Sequence, residues 1–428
     1  MSQLSNPKEA NFWMIPAPTQ KTYANKELPQ KTDVLVIGSG YTGTVAALQL
    51  KKTGVDVTLI DKSKIGSEAS AKNGGMALNG LSVNLNKVKK KFGQEEIVNF
   101  FQEFIESINC VERLVKEGRI DCHFERSGYI SAAFKPSHFD TLKENQKFFS
   151  KYLDCNTSII PPECMRDEIE SDFYHGGLLD PNSAGLHPAK YIAGLLRMAD
   201  EAGVDLHEFI EAREIKSSNG KSIVRTNHGE IEAEQVIVAT NGYTSNQTPW
   251  LMKRIVPVES FMIATEELPS NVAKKLIPEN RMISDTKRFL FYFRLSPDGK
   301  RLLFGARPKQ FWKSTLDKAI IMRQDMLKVF PQLDRYGIDY TWSGKVGFTA
   351  NKFPFIGQQN GVYYGMGYCG RGVGLATYFG FQLAEMILGT GGDTIYFKNK
   401  PVPIPFYSGK PWFLPIMHTI YRLQDKFQ

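Results

Sequence analysis

The apolar and polar positions divide the chain into a series of recognisable elements. Residues 1–30 are polar and proline-containing and read as an arm on the surface, with regular patterning starting at Asp33. VLVI (34–37) is too short for a helix and suits a parallel strand buried on both faces. TVAALQLKK (44–52) is helical in character and is stopped by Gly54, and DVTLID (56–61) predicts a second strand, which completes a βαβ unit. Ile97, Phe101, Phe104, Ile108, Val111 and Val115 recur at alternating steps of four and three, an amphipathic helix ending near Gly118. Helical pattern also surrounds Phe139–Leu153 and runs from Pro188 to Gly203. Beyond residue 204 the pattern turns to strands, with a hairpin around Ser218–Asn219–Gly220 and a buried strand in QVIVAT (235–240). FLFYFRLSPDGKRLLFGAR (289–307) predicts two antiparallel strands joined by a Pro-Asp-Gly turn. Phe289, Phe291 and Phe293 share one face of the first strand, and Leu290, Tyr292 and Arg294 the other. Helical pattern returns at 316–330; strand-like segments then lead through PFIG and VYYGMGY to a glycine loop and the helix LATYFGFQLAEMIL (375–388).

Composition narrows the class. With 428 residues, 42% hydrophobic and 23% charged, the chain is long enough for two domains, or one large domain with insertions. A formal net charge of +8 raises the question of a nucleic-acid or membrane partner. The lysines are spread, however, and the densest run (Lys87, Lys89, Lys90, Lys91) is short, so it reads as a solvated face and no nucleic acid is expected. Cys110, Cys122, Cys155, Cys164 and Cys369 form no CxxC pair, and the N-terminus lacks the basic-then-apolar order of a signal peptide; a reducing cytoplasm is the expected compartment. PWFLPIMHTIY (411–421) is shorter than the roughly 18–20 residues that span a bilayer and reads as a packed arm, with membrane-surface contact as the alternative. His and acidic residues show no metal-ligand spacing, so no metal is expected, and GxSxG is absent.

Candidate chemistry begins at GSGYTG (38–43), a GxGxxG directly after a strand and before a helix, with Asp61 closing the second strand 18 residues after Gly43. Gly38 permits the tight turn, Gly40 lets the backbone approach a pyrophosphate, and Gly43 lets helix and strand pack closely. The helix start offers N–H groups to phosphates, and Asp61 accepts from ribose hydroxyls while repelling a 2′-phosphate. The fingerprint fits NAD and FAD alike. The run GSEASAKNGGM (66–76) has no apolar periodicity and little side chain, and a second glycine loop, GMGYCGRGVG (365–374), opens a helix near the C-terminus. Glycine-lined approaches so far apart suit one long cofactor, and FAD has that shape.

The ordered set GSGYTG…Asp61, SEASAKNGG, ATNGYT, WSGKVGFTANKFPFIG and GYCGRGVGLA resembles the D-amino-acid oxidase/glycine oxidase superfamily of FAD-dependent oxidoreductases, and within it most of all the gamma-glutamylputrescine oxidoreductase group. The resemblance implies an α/β chain (α+β overall): a Rossmann-like FAD-binding domain of glutathione-reductase type and an antiparallel-sheet substrate domain. The expected division is an arm at 1–30, an FAD domain from 31–90, 160–250 and 342–400, a substrate domain from 91–159 and 251–341, and a C-terminal arm at 401–428. By position, Gly38, Ser39, Gly40, Tyr41, Thr42 and Gly43 would surround the pyrophosphate, and Asp61 the ribose, with Lys62 beside it. Ser70, Asn73, Gly74, Gly75 and Met76 would line the flavin, and the Ile215 backbone would meet adenine. Thr240 and Gly242 would close on the middle of the cofactor, and Gly367, Gly370, Arg371, Gly372 and Val373 on its ring. Relatives that attach FAD covalently use a His in the segment matching 67–75, or a Cys beside the Thr of GFT; neither is present, so non-covalent FAD is expected, with Cys369 the one remaining candidate for attachment. Relatives of the glycine-oxidase type grip a substrate carboxylate with an arginine where this chain has Val346.

The activity implied is oxidation of a C–N bond in an amine or amino-acid-like substrate by hydride transfer to flavin N5, with hydrolysis of the imine and reoxidation by O2 (giving H2O2) or another acceptor. Tyr292, Arg294, Tyr368 and Arg371 are the substrate-side candidates, Arg294 as a bidentate carboxylate partner. His175 and His187 flank a glycine-rich loop without an assigned role. Two other functions stay open: an FAD-dependent hydroxy-acid or polyol-phosphate dehydrogenase feeding quinone, and a non-catalytic FAD-stabilised partner protein.

Overall fold

A computed structural model describes residues 7–15, 21–80, 85–153, 155–218, 220–307, 313–391 and 394–427. Asn219 at the hairpin tip and residues 1–6 and 16–20 of the N-terminal arm lie outside the described residues.

Two sheets organise the chain. In the first, five parallel stretches run in the order Val362–Met366, Gly229–Val238, Lys31–Ile37, Val57–Asp61 and Asp205–Glu208. The register pairs Leu35 with Val236 on one side and Thr58 on the other. The apolar run 34–37 is buried on both faces, as expected: Val34 and Val36 join the core under the helices, while Leu35 and Ile37 join the opposite cluster with Val236, Val238 and Phe355. Helix Tyr41–Lys52 lies on the first of these faces between helices Gly372–Leu388 and Pro188–Glu201. The expected hairpin is present as Ala212–Ser218 and Lys221–Thr226, continuing this sheet antiparallel.

The second sheet has nine strands, with Val256–Thr265 between Ile338–Phe348 and Leu302–Ala306, followed by Tyr292–Leu295, Met282–Asp285, Tyr129–Ala132, Gly177–Asp180 and Ser158–Ile160. Residues 177–180 and 342–348 therefore sit in this sheet, not in the parallel one. One face is covered by helix Thr315–Val329 over a core of Phe261, Ile263, Phe293, Phe304 and Phe330, in which Phe293 and Phe304 stack at 5.7 Å and 9°. Phe291 and Phe293 share that core as the alternation predicts, whereas Phe289 leaves the strand and meets the Tyr421 ring at 6.1 Å. The opposite face looks toward the first sheet.

The N-terminal arm departs from its expected surface position. Lys8–Glu9 adds a strand to the edge of the nine-stranded sheet beside Tyr340 and Thr341, and Trp13 is fully buried against His187, ring centroids 4.9 Å apart. A polar segment with a single tryptophan gives no periodicity to read; its burial depends on a pocket made by distant residues.

Candidate functional site

At the end of strand Lys31–Ile37 the chain turns through Gly38, at φ +107, into helix Tyr41–Lys52. Side chains are sterically excluded here: a Cβ on Gly43 would lie 1.9 Å from the Gly38 carbonyl oxygen, and one on Gly38 3.0 Å from that of Ala239. The helix has no side-chain cap, so its first N–H groups leave a partial positive charge at the turn; the Tyr41 N–H meets Ser70 Oγ at 3.1 Å. Asp61 accepts from the Ser39 N–H (2.9 Å) and hydroxyl (2.6 Å) through one oxygen and from the Ser63 N–H (2.9 Å) through the other. A carboxylate has about four acceptor sites, so Asp61 braces the turn and keeps capacity for a ligand hydroxyl.

The run 66–76 forms the short helix Ala69–Lys72 and then an extended stretch whose backbone is held from outside. Asn11 Nδ2 donates to Ala71 O at 2.8 Å, Trp342 Nε1 to Lys72 O at 3.0 Å, Trp13 Nε1 to Asn73 O at 2.8 Å and Arg294 Nη1 to Gly75 O at 2.6 Å. Asn73 closes the turn itself, its Oδ1 accepting the Gly75 N–H at 2.8 Å. What looks like a bare sequence is thus a backbone surface fixed from behind.

A third segment precedes helix Gly372–Leu388. The Gly367 N–H donates to Asn241 Oδ1 (3.0 Å), the Cys369 N–H to Gly347 O (3.1 Å), and the Tyr368 hydroxyl lies 2.6 Å from Thr42 Oγ1 and donates to Gly365 O at 2.9 Å. Burial raises the Tyr368 pKa, so this phenol stays neutral while it ties the loop to the first helix. Arg371 is the N-cap of the helix and makes no capping bond; its guanidinium lies 5.4 Å from the Tyr129 ring, and among the described residues its buried Nη1 has no hydrogen-bond partner. An orphaned cationic donor beside an uncapped helix start is built for a carbonyl or anionic ligand.

These segments form one wall of a cavity of about 550 Å³. Gly38, Ser39, Gly40, Tyr41, Thr42, Asp61 and Lys62 line one end; Ser70, Asn73, Gly74, Met76 and Thr240 the middle; Tyr368, Gly370, Arg371, Gly372 and Val373 the far end. Gly43, Gly75, Gly242 and Gly367 stand behind the lining as close-packing positions, Gly242 with its Cα against the Gly347 backbone. Ile215 is a correction. It sits mid-hairpin opposite Val224, and the cavity is lined by Ile210, Glu211 and Ala212, because the strand points away after its first residue.

The facing wall is the nine-stranded sheet, presenting Val258, Ser260, Tyr292, Val346 and Phe348. The Tyr292 hydroxyl lies 2.9 Å from Ser260 Oγ, and burial pushes its pKa up to about 12. Arg294 is the second correction. Only 3% exposed, it donates to the carbonyls of Gly75, Leu186 (3.3 Å) and Leu295 (3.1 Å), and so holds main chain and is not open to a substrate carboxylate. An arginine that does reach the cavity from the end of one of these strands is Arg307, which the sequence does not single out. Alternation could have found it: Tyr292 pairs with Gly305, and Arg307 follows two residues later on the same face.

A sequence profile described as FAD dependent oxidoreductase (DAO) matches residues 33–386. The chain belongs to this family. It is 33% identical over 408 residues to the probable oxidoreductase OrdL of Haemophilus influenzae, covering 93% of each chain. To the gamma-glutamylputrescine oxidoreductase of Escherichia coli it is 31% identical over 415 residues, covering 94% of this chain and 96% of the relative. The solved glycine oxidase from Geobacillus kaustophilus superposes with a TM-score of 0.73 at 19% identity, over 86% of this chain and 97% of that one. L-proline dehydrogenase from P.horikoshii gives 0.70 at 22%, over 86% and 96%. These superpositions establish the shared fold. The walls of this FAD-dependent oxidoreductase fit its cofactor: uncapped helix starts at both ends, glycines that no side chain can replace between them, and an orphaned Arg371 donor. Among the described residues no helix is long and apolar enough to cross a membrane, and no cluster of His, Cys, Asp or Glu could hold a metal ion.

Proposed function

We propose that this FAD-dependent oxidoreductase oxidises the C–N bond of a small amine or amino-acid-like substrate, with FAD held non-covalently along the wall made by residues 38–43, 70–76 and 367–373. The supporting observation is the pairing of that glycine-rich wall with a sheet face of hydroxyls, aromatic rings and cations. Bound FAD supplies the sink for the hydrogen and electrons that leave the substrate α-carbon.

The chain binds, orients and excludes water. The N–H group of Thr42, with the Ser70 hydroxyl, would meet phosphate oxygens, and Asp61 would meet ribose. Arg371 and the N–H groups of Gly372 and Val373 stabilise negative charge that develops at that end. Arg307, Lys352 and Arg371 make the cavity electropositive, which lowers the pKa of an entering amine and leaves its lone pair free. Tyr292, Val346 and Phe348 restrict where the α-carbon sits. Water then hydrolyses the imine product, and O2 (giving H2O2) or another acceptor completes turnover.

Non-covalent attachment is supported by two features. Residues 66–76 contain no histidine, and the buried Cys369 donates its thiol to Gly367 O at 3.1 Å with a pKa raised by burial, which keeps it a poor nucleophile. Acid precipitation should release the yellow colour into the supernatant. Anaerobic addition of a panel of amines and amino acids should bleach the flavin bands; bleaching by hydroxy acids alone would refute amine oxidation.

One observation favours a quinone as the acceptor. Phe406 (93% exposed), Trp412 (59%) and Ile416 (57%) present apolar surface at and before helix Leu414–Phe427, whose Tyr421 lines the cavity. Co-sedimentation with anionic liposomes and turnover with a soluble quinone analogue, both lost in Trp412→Ser/Ile416→Ser, would support that acceptor; equal turnover in the variant would exclude it.

A further inference from the structure

The sheet face that walls the cavity is assembled from alternate residues of neighbouring strands. Ile338–Phe348 contributes Gly344, Val346 and Phe348, and the adjoining Val256–Thr265 contributes Val258 and Ser260, with Val258 opposite Val346. The next strand over, Leu302–Ala306, contributes Gly305, above which the Tyr292 ring lies so close that a Cβ would approach it to 2.1 Å. Arg307 follows at the end of that strand, beside the ring and on the same side.

Strands lie about 4.8 Å apart, so Arg307 starts roughly 10 Å across the sheet from Val346. It leans back over the middle strand until its Cζ lies 4.5 Å from the Phe348 ring centroid. The ionisable side chains that act on it are Cys369, Tyr421 and Tyr292, none of them a carboxylic acid, and burial raises the pKa of both Cys369 and Tyr292. Among the described residues no carboxylate pairs with Arg307 and nothing accepts a hydrogen bond from it. Glu259, the acid contributed by the middle strand, is bonded to Lys318 at 2.8 Å. Burial lowers the Arg307 pKa, yet a guanidinium stays protonated at any working pH. A charged fork laid against an aromatic ring, desolvated and without a protein acceptor, is matched to a planar anion that brings two oxygens.

We infer that Arg307 and Phe348 form the receptor for a carboxylate carried by the substrate, supplying from a different strand the cation that Val346 does not, and that the substrate class is therefore a carboxylate-bearing amine and not a plain diamine. This rests on reading the cavity as an amine-oxidising site. A diamine would bring a second positive charge into a space already lined by Arg307, Lys352 and Arg371, with no acid on that wall left to receive it.

The test uses the FAD-loaded protein and the variants Arg307→Met, which keeps the bulk over Phe348, and Arg307→Lys, which keeps the charge and loses the fork. Benzoate is titrated as the probe carboxylate, read by its perturbation of the flavin spectrum. Its dissociation constant should rise about 100-fold in Arg307→Met and about tenfold in Arg307→Lys. In anaerobic stopped-flow, 5-aminopentanoate should show the same loss in half-saturation with little change in limiting rate, and its methyl ester should be nearly indifferent to the substitutions. FAD content per chain is measured for each variant; if Arg307→Met does not load FAD, Arg307→Lys decides. Unchanged benzoate affinity, equal losses for acid and ester, or fastest reduction by putrescine would each overturn the inference. Should no amine reduce the wild type, the amine-oxidase reading fails while the benzoate arm still decides the carboxylate receptor.

Discussion

Arg294→Met tests whether an arginine on the substrate-side strand binds substrate or braces the cofactor wall. Arg294 is 3% exposed and makes its hydrogen bonds to the carbonyls of Gly75, Leu186 and Leu295. Bonds from a charged donor contribute about 1.5–3 kcal/mol each, and the two that hold distant chain, to Gly75 and Leu186, together give roughly 3–6 kcal/mol. Against this stands the cost of burying the charge: burial brings the Arg294 pKa from 12.5 down to about 10, equivalent to about 3 kcal/mol. Methionine forfeits the bonds and escapes the cost, so the expected net destabilisation is roughly 0–3 kcal/mol. With an unfolding entropy of about 2.1 cal/mol/K per residue over 428 residues, that lowers Tm by at most about 3 °C. The larger signal lies in the wall itself: freed from its clamp, Gly75 should loosen FAD by about tenfold. The assays are differential scanning fluorimetry and FAD release on dilution. Unaltered FAD affinity with a raised KM for the amine would refute the bracing role and return Arg294 to the substrate side.

Three further outcomes follow from the geometry. Gly43→Ala places a Cβ 1.9 Å from the Gly38 carbonyl oxygen, and since backbone on both sides must yield, the purified protein should carry no FAD; a yellow, fully loaded variant would contradict the close packing. Trp13→Phe keeps the ring but removes the donor to Asn73 O, which should cost about 1 kcal/mol and weaken FAD several-fold by equilibrium dialysis, whereas a surface arm would give no change. His187 accepts the Lys190 N–H through Nδ1, and burial, with Lys190 and His123 adding to it, brings its pKa from 6.5 down to about 4. The unfolded chain then binds this proton from about pH 6.5 downward while the fold resists it to about pH 4, so the His187 contribution is constant above that window and is lost as pH falls through it. Tm measured from pH 7.5 to 4.5 should fall less steeply in His187→Asn, and parallel slopes would remove His187 as the cause.

The parallel half of the fold was legible because its signals are local. VLVI, the glycine turn, the helix and Asp61 sit within one βαβ unit, where Gly43 answers to the Gly38 carbonyl five residues before it. The wall at 66–76 was legible as backbone, since eleven residues with so little side chain have nothing else to offer. The substrate side was harder for a physical reason. Strand alternation places Tyr292 and Arg294 on one face but is silent on what lies across from each, and only Tyr292 meets open space while Arg294 meets the carbonyls of Gly75 and Leu186. Arg307 lies one residue past its strand, and alternation points it inward only once the pairing of Tyr292 with Gly305 is known. Trp13 carried no periodic signal at all, and Ile215 failed because the hairpin leaves the cavity after Ala212.

The carbonyls of Ala71, Lys72, Asn73 and Gly75 are gripped by donors 60, 270, 60 and 219 residues away along the chain. A nascent or partly unfolded chain cannot shape that surface from local sequence, because each grip closes a long loop and so forms late. Cofactor uptake is consequently a report on completion: a chain that has taken up FAD has already docked its N-terminal strand, closed its antiparallel sheet and joined the two sheets. Yellow colour per mole of chain should therefore follow the intact population more faithfully than helix content does, and flavin loss should precede any fall in far-ultraviolet dichroism when the protein is heated.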